Sequence, residues 1–168
     1  VNQLAKDESE VKTLKVGQLT EDGLGMIFWV DPDNQEAGKA ISLERWGGNP
    51  FEASIKLHNA FSMVNGIENT ALYTDAGNND AAALCTNLGE GWYLPASEEL
   101  GHLFDIYNGI ARDNGFTNAT PNQISDAEKA SRATFDKNLT DLGGAVINAA
   151  AENGNGESYW SSTENEDG

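Results

Sequence analysis

The side chains able to make or break covalent bonds are few: one cysteine, Cys85, and two histidines, His58 and His102. Nucleophilic catalysis needs a thiol or hydroxyl beside a base that a third group orients. Cys85 lies in AspAlaAlaAlaLeuCysThrAsnLeuGly, an apolar helical pattern, and reads as a buried structural thiol. His102 falls among Leu100, Leu103 and Phe104 and reads as a partly exposed helical histidine. His58, in an irregular stretch, is the histidine placed to reach a ligand, but no partner motif accompanies it. The pattern predicts a protein that binds, not an enzyme. Zinc has no ligand set either, because one cysteine and two distant histidines match no known spacing.

Calcium is a better question, since it takes about six to eight oxygens from flexible loops. Carboxylates and amides cluster at Asp31, Asp33 and Asn34, at Asp75, Asn78, Asn79 and Asp80, and at Glu164, Glu166 and Asp167. None has the EF-hand spacing. The first cluster more simply makes a hairpin turn, and Asn79 or Asp80 more simply caps a helix. A bound calcium would fall to Asp75, Asn78 and Asp80, and no other cofactor is implied. Aromatic faces can also stack on the apolar side of a sugar ring while amides bind its hydroxyls. On that basis Trp46, Asn49, His58, Asn65 and Asn69 are the candidate ligand-binding residues, whereas Trp29, Trp92 and Trp160 are expected in the core.

Placing these groups requires a fold, and a chain of 168 residues is long enough to bury one real core. Ten basic against 27 acidic residues give a formal charge of −17, which disfavours nucleic acid, anionic lipid and sulfated glycans as partners. No apolar run reaches the roughly 18 residues of a membrane span, so no membrane insertion is expected. Val1 stands where a Met would, which reads as a processed N terminus. The missing signal peptide therefore does not argue for the cytoplasm.

Residues 1–16 are polar and read as an arm or lead-in, with the domain over 17–168. GlyMetIlePheTrpVal from Gly25 is a continuous apolar run suited to a central strand. AspProAspAsn supplies a turn, and 39–45 alternates as a returning strand. From Trp46 to Asn79 neither a strand nor a helix period persists, which predicts a long irregular connection of the kind that carries binding sites. A short helix follows from Asn79 or Asp80 to a stop at Gly89. A second starts with Ser97 as cap and carries Leu100, Leu103, Phe104 and Tyr107 as one stripe. A third opens with a Ser125 to Glu128 capping box and stops at Gly143 and Gly144. AlaValIle at 145–147 begins a strand or extended piece, and TyrTrpSerSerThrGlu at 159–164 suits a strand lining a loop region.

In order, GlyMetIlePheTrpValAsp, AlaIleSerLeuGlu, Gly66 to Thr70, AlaAlaAlaLeuCys, GlyTrpTyrLeuProAlaSerGluGluLeu at 91–100 and TyrTrpSerSerThrGlu resemble the Lcl C-terminal domain family, over roughly 17–164. That bacterial family is named for the C-terminal module of a collagen-like adhesin. The resemblance implies an α+β fold of C-type lectin-like type, similar also to formylglycine-generating enzymes. It implies a small mixed or antiparallel sheet, two to three helices and long irregular loops. It implies an extracellular or cell-surface adhesion module that binds a glycan or a surface protein. Its founding member binds sulfated glycosaminoglycans, which transfers poorly to a chain with ten basic residues and no adjacent pair. The cysteine pattern of the enzyme group is absent. The family continues past TyrTrpSerSerThrGlu with further strands, which here are either lost or lie beyond Gly168. An unpaired sheet edge would result, and the alternative function is a structural subunit of a surface assembly completed by a partner's strand.

Overall fold

The run Gly25–Phe28 is buried throughout, because strand β1 (Gly25–Val30) is covered on both sides. A computed structural model describes residues 13–47, 57–73, 80–110, 124–147 and 159–165. β1 pairs antiparallel with β2 (Gly38–Ser42), Met26 opposite Ile41, with a bulge between Ile27 and Trp29. The turn between them is built as its residues predict. Asp31 Oδ1 accepts from Asp33 N–H at 2.8 Å, Asn34 Oδ1 from Glu36 N–H at 3.1 Å, and Asp31 N–H bonds Ala37 O at 2.9 Å. On the far side of β1, Leu19 bridges Met26, and Gly17 N–H donates to Ile27 O at 2.8 Å. The lead-in expected over 1–16 is described from Thr13, where Leu14 N–H bonds Gln35 O at 2.9 Å, so this part is tied to the hairpin.

Among the described residues four helices follow, against the two to three expected: α1 (Gly66–Leu72), α2 (Ala81–Thr86), α3 (Ser97–Asn108) and α4 (Asp126–Asp141). α1 corrects the reading of 46–79 as wholly irregular. Its cap is Asn65, whose Oδ1 accepts from Glu68 N–H at 3.1 Å. Asp80 occupies the cap position of α2, but its carboxylate accepts no helix N–H. α3 begins at Ser97 and is not capped by it. Glu99 reaches back to the Ala96 N–H at 3.1 Å, and Gly109 ends the helix at φ 70°. The capping box of α4 is present, with Glu128 N–H on Ser125 Oγ and Ser125 N–H on the Glu128 carboxylate.

Packing produces two clusters. Met26 and Phe28 of β1 meet Tyr107 of α3, Phe135 and Leu139 of α4, and Ile147. Leu103 and Phe104 complete the stripe expected on α3. A second cluster holds Ala60, Tyr73, Ala81, Ala82 and Leu94, with Cys85 against it. Among the described residues neither 145–147 nor 159–164 forms a regular strand. Residues 144–147 make one bond of that kind, Ala145 N–H to Leu43 O at 3.0 Å. Residues 159–165 instead thread between two other segments, with Ser162 N–H on Pro95 O at 2.8 Å and Glu164 N–H on Ala60 O at 2.9 Å. Among the described residues no helix is long and apolar enough to cross a membrane.

Candidate functional site

The motif at 91–100 is organised by Glu99, whose side chain is 12% exposed. Its Oε1 accepts from Lys39 Nζ at 2.6 Å and Tyr93 OH at 2.8 Å, and its Oε2 from the N–H of Gly66 at 2.9 Å and of Ala96 at 3.1 Å. Four donors saturate a carboxylate. Burial pushes its pKa up, but Lys39, the Ala96 N–H, Tyr93 and the Gly66 N–H together hold it below the ordinary 4.5. Such a carboxylate has no lone pair left for proton transfer and serves to join β2, α1 and α3. Gly66 is required here, because a Cβ would lie 2.6 Å from Glu99 Oε2 and 2.7 Å from Leu94 O.

The second motif is a seam of the same kind. Glu164 accepts the His58 and Ala60 N–H groups at 3.0 and 3.1 Å. Thr163 Oγ1 donates to Ser62 O at 2.8 Å and accepts from Ser97 N–H at 2.9 Å. Ser162, fully buried, takes Tyr73 OH on its carbonyl at 2.9 Å. Asn69, 1% exposed, accepts Ser62 N–H at 3.1 Å and donates to Ser62 O at 2.6 Å and Ser162 Oγ at 3.3 Å. Thr70 Oγ1 pairs with both main-chain groups of Leu94 at 3.1 Å. The runs at 91–100 and 159–164 are thus hydrogen-bonding locks between segments far apart in sequence.

Beside these locks a cleft of about 720 Å³ opens along β2. All five β2 residues line it, with Leu84, Cys85 and Leu88 from α2 and the turn after it, and Leu100 and Leu103 from α3. Six aromatic side chains line the rest: Phe28, Trp46, Trp92, Tyr93, Tyr159 and Trp160. Trp92 packs over Gly25 and donates from Nε1 to Asp22 Oδ2 at 2.8 Å. The Thr20 hydroxyl, the Leu24 N–H and this indole hold Asp22 below its ordinary pKa. Burial pushes the Cys85 thiol up to about 11, so it stays protonated at neutral pH and is a poor nucleophile. Neither His58 nor His102 lines the cleft.

Of the predicted ligand-binding residues that are described, the cleft therefore contains Trp46 alone. His58 is half-buried, its ring 4.7 Å from that of Tyr73 and its Nδ1 3.3 Å from Leu72 O. Asn65 caps α1. Asn69, expected at the surface, is buried because α1 turns its polar side inward, and Asn49 lies outside the described residues. Trp29 is half-buried and meets the His102 ring edge-on at 5.6 Å. Trp160, expected in the core, is 56% exposed at the cleft. Asp75 and Asn78 also lie outside the described residues, and Asp80 is buried at the start of α2. Among the described residues no three His, Cys, Asp or Glu side chains are grouped to hold a metal. Sequence reasoning missed β2, α2 and α3 as cleft walls, although the alternate apolar positions of β2 and the stripe of α3 were readable. No protein-family model, no curated protein and no solved structure matches this chain.

Proposed function

We propose that this chain is a non-catalytic binding module of the Lcl C-terminal, C-type lectin-like kind, acting outside the cell or at its surface. Its ligand, a glycan or a surface protein, seats in the cleft along β2. The observation that carries this reading is the cleft itself: about 720 Å³, walled by leucines and framed by tryptophans, with Trp160 more than half exposed beside it. A concave apolar site with a few polar groups is what ligand sites generally look like. Its one thiol is protonated and no histidine reaches it, which favours binding over turnover. The ligand role expected of Asn65 and Asn69 passes to the cleft, because those amides are occupied in holding α1.

The test is to probe a glycan array and a peptide array with the purified chain, with and without EDTA, beside a Leu88→Arg variant that places a charge in the cleft. Signal on either array that Leu88→Arg abolishes supports the reading, and loss of signal in EDTA adds calcium to it. Signal that Leu88→Arg leaves unchanged moves the site elsewhere. A blank on both arrays sinks the binding-module reading.

A further inference from the structure

We infer that the cleft takes an extended peptide segment of a partner chain, added as a strand to the open edge of β2, apolar at every second residue and basic between. This rests on the binding-module reading and names the ligand class for the same cleft.

The argument starts from strand geometry. Successive residues of a strand turn their main-chain groups to opposite sides. In this hairpin Asp31 N–H bonds Ala37 O at 2.9 Å, Leu43 N–H bonds Leu24 O at 2.9 Å, and Ile41 pairs with Met26. Ala37, Lys39 and Ile41 therefore face β1, Leu43 does so with its N–H while its C=O takes Ala145 N–H at 3.0 Å, and Gly38, Ala40 and Ser42 turn their N–H and C=O away from it. β1 cannot be the receiving edge. Its far side is occupied by 17–20, through Thr20 N–H to Gly25 O and Ile27 N–H to Gln18 O, both at 2.8 Å. Among the described residues the sheet ends at β2, and that end is one wall of the cleft. An edge strand with unmet donors and acceptors is a template for another strand, and here the trough beside it is already shaped and apolar.

The two faces of the hairpin fix the side-chain pattern of the added strand. Ile41 and Leu43 pack toward the main core, so positions of the incoming segment on that side meet Leu100 and Leu103 and must be apolar. On the opposite face Trp92 covers Gly25. Of the charged residues that line the cleft, Lys39 shares the face of Ile41 and pairs with Glu99 of α3, which leaves Asp22, Glu44, Glu90 and Arg45. The remaining balance is acidic, and tryptophan faces attract cations. A second copy of this chain fits poorly as the donor, since it brings a formal charge of −17 against the same sign.

The probe is a synthetic acetylated and amidated peptide, LysIleLysValLysIleLys, titrated into the full chain and followed by tryptophan emission and calorimetry. Two control peptides carry N-methyl groups on alternate amides, one on the isoleucine and valine set and one on the inner lysine set. They share the charge and composition of the parent, so electrostatic or greasy adhesion treats all three alike. Strand addition predicts that one methylated set binds at least about tenfold more weakly while the other stays within about twofold. Ala40→Pro, which deletes one outward N–H at an edge where proline is tolerated, weakens the parent peptide with an unchanged circular dichroism spectrum. Equal binding by the two methylated sets overturns the inference, as does no binding up to about 1 mM. A concentration-dependent dimer that excludes the peptide overturns the choice of occupant. Glycan signal sensitive to Leu88→Arg without peptide binding overturns this inference alone, whereas blank arrays remove the reading beneath it as well.

Discussion

Between the hairpin, α3 and α4 the interior is filled by Met26, Phe28, Tyr107, Phe135, Leu139 and Ile147, large side chains that remove much area from water. The region formed by 57–73, 80–96 and 159–165 has three alanines, one leucine and one tyrosine at its centre. It is held instead by Asn69, Thr70, Tyr73, Thr163 and Glu164, each bonded across to another segment. Apart from Tyr107, whose hydroxyl bonds Ile147 O at 2.7 Å, the first region tolerates apolar residues of about the right volume. The second depends on residue type, because each lost side chain orphans main-chain groups that are buried or half-buried. Motif-like specificity in this chain therefore marks the region with the smaller apolar core, and the motifs report assembly before they report ligand.

The largest expected effect tests the first half of that contrast. Phe135→Ala should cost about 3–5 kcal/mol in urea unfolding, and a cost below about 1 kcal/mol would mean that this cluster is not the main store of stability. Next, Asn69→Leu keeps the volume but strands both main-chain groups of Ser62, and about 2–3 kcal/mol should be lost. The contrast breaks if that loss is no greater than for Leu103→Met in the other region, expected below about 1.5 kcal/mol. Tyr73→Phe removes one buried bond to Ser162 O and should cost about 1–2 kcal/mol.

The smallest effect is in pH and sets Glu99, which ties α3 to Gly66 at the start of α1, against Asp136 inside the first region. The folded-state pKa of Glu99 is below its ordinary 4.5, so its contribution is present above that value and is lost as pH falls through the lowered one. Asp136, between Tyr107 OH at 3.0 Å and Ile147 N–H at 2.9 Å, behaves oppositely. Burial raises its pKa above 3.8 despite those bonds, so its contribution is greatest below 3.8 and falls as pH rises through the raised value. Urea midpoints between about pH 3 and 7 should show a shallower acid decline in Glu99→Gln than in the parent, and a steeper one in Asp136→Asn. Parallel profiles would remove the electrostatic part of the contrast.

The hairpin, the stripe of α3 and the capping box of α4 were legible because apolar periodicity and caps there serve a core of ordinary kind. α1 was not, for a physical reason: its buried residues are Gly66, Asn69 and Thr70, while Ile67 and Leu72 point outward. A helix with its polar side inward defeats a hydrophobic pattern, although Asn65 three residues before Glu68 was a usable cap signal. TyrTrpSerSerThrGlu alternates like a strand, yet its side chains are spent on main-chain groups of two segments, and Trp160 was left outside. As for the site, Trp46 was found because it is an exposed aromatic. The rest of the cleft joins five stretches of chain and has no local signature.

The thread at 159–165 also sets a timetable. Its bonds to His58, Ala60 and Ser62 span 106, 104 and 101 residues, whereas the hairpin joins neighbours. During synthesis the hairpin can form as soon as it emerges, but the lock around α1 must wait until Glu164 has been translated. Until then the nascent chain carries Asn69, Tyr73 and Ser62 without their distant partners, and long-range closure of this kind is the slow step of folding. Pulse-labelled hydrogen exchange would then protect the amides of β1 first and those of His58, Ala60 and Ser162 last, so the segment that looks most like a recognition motif acts as a late-closing clasp.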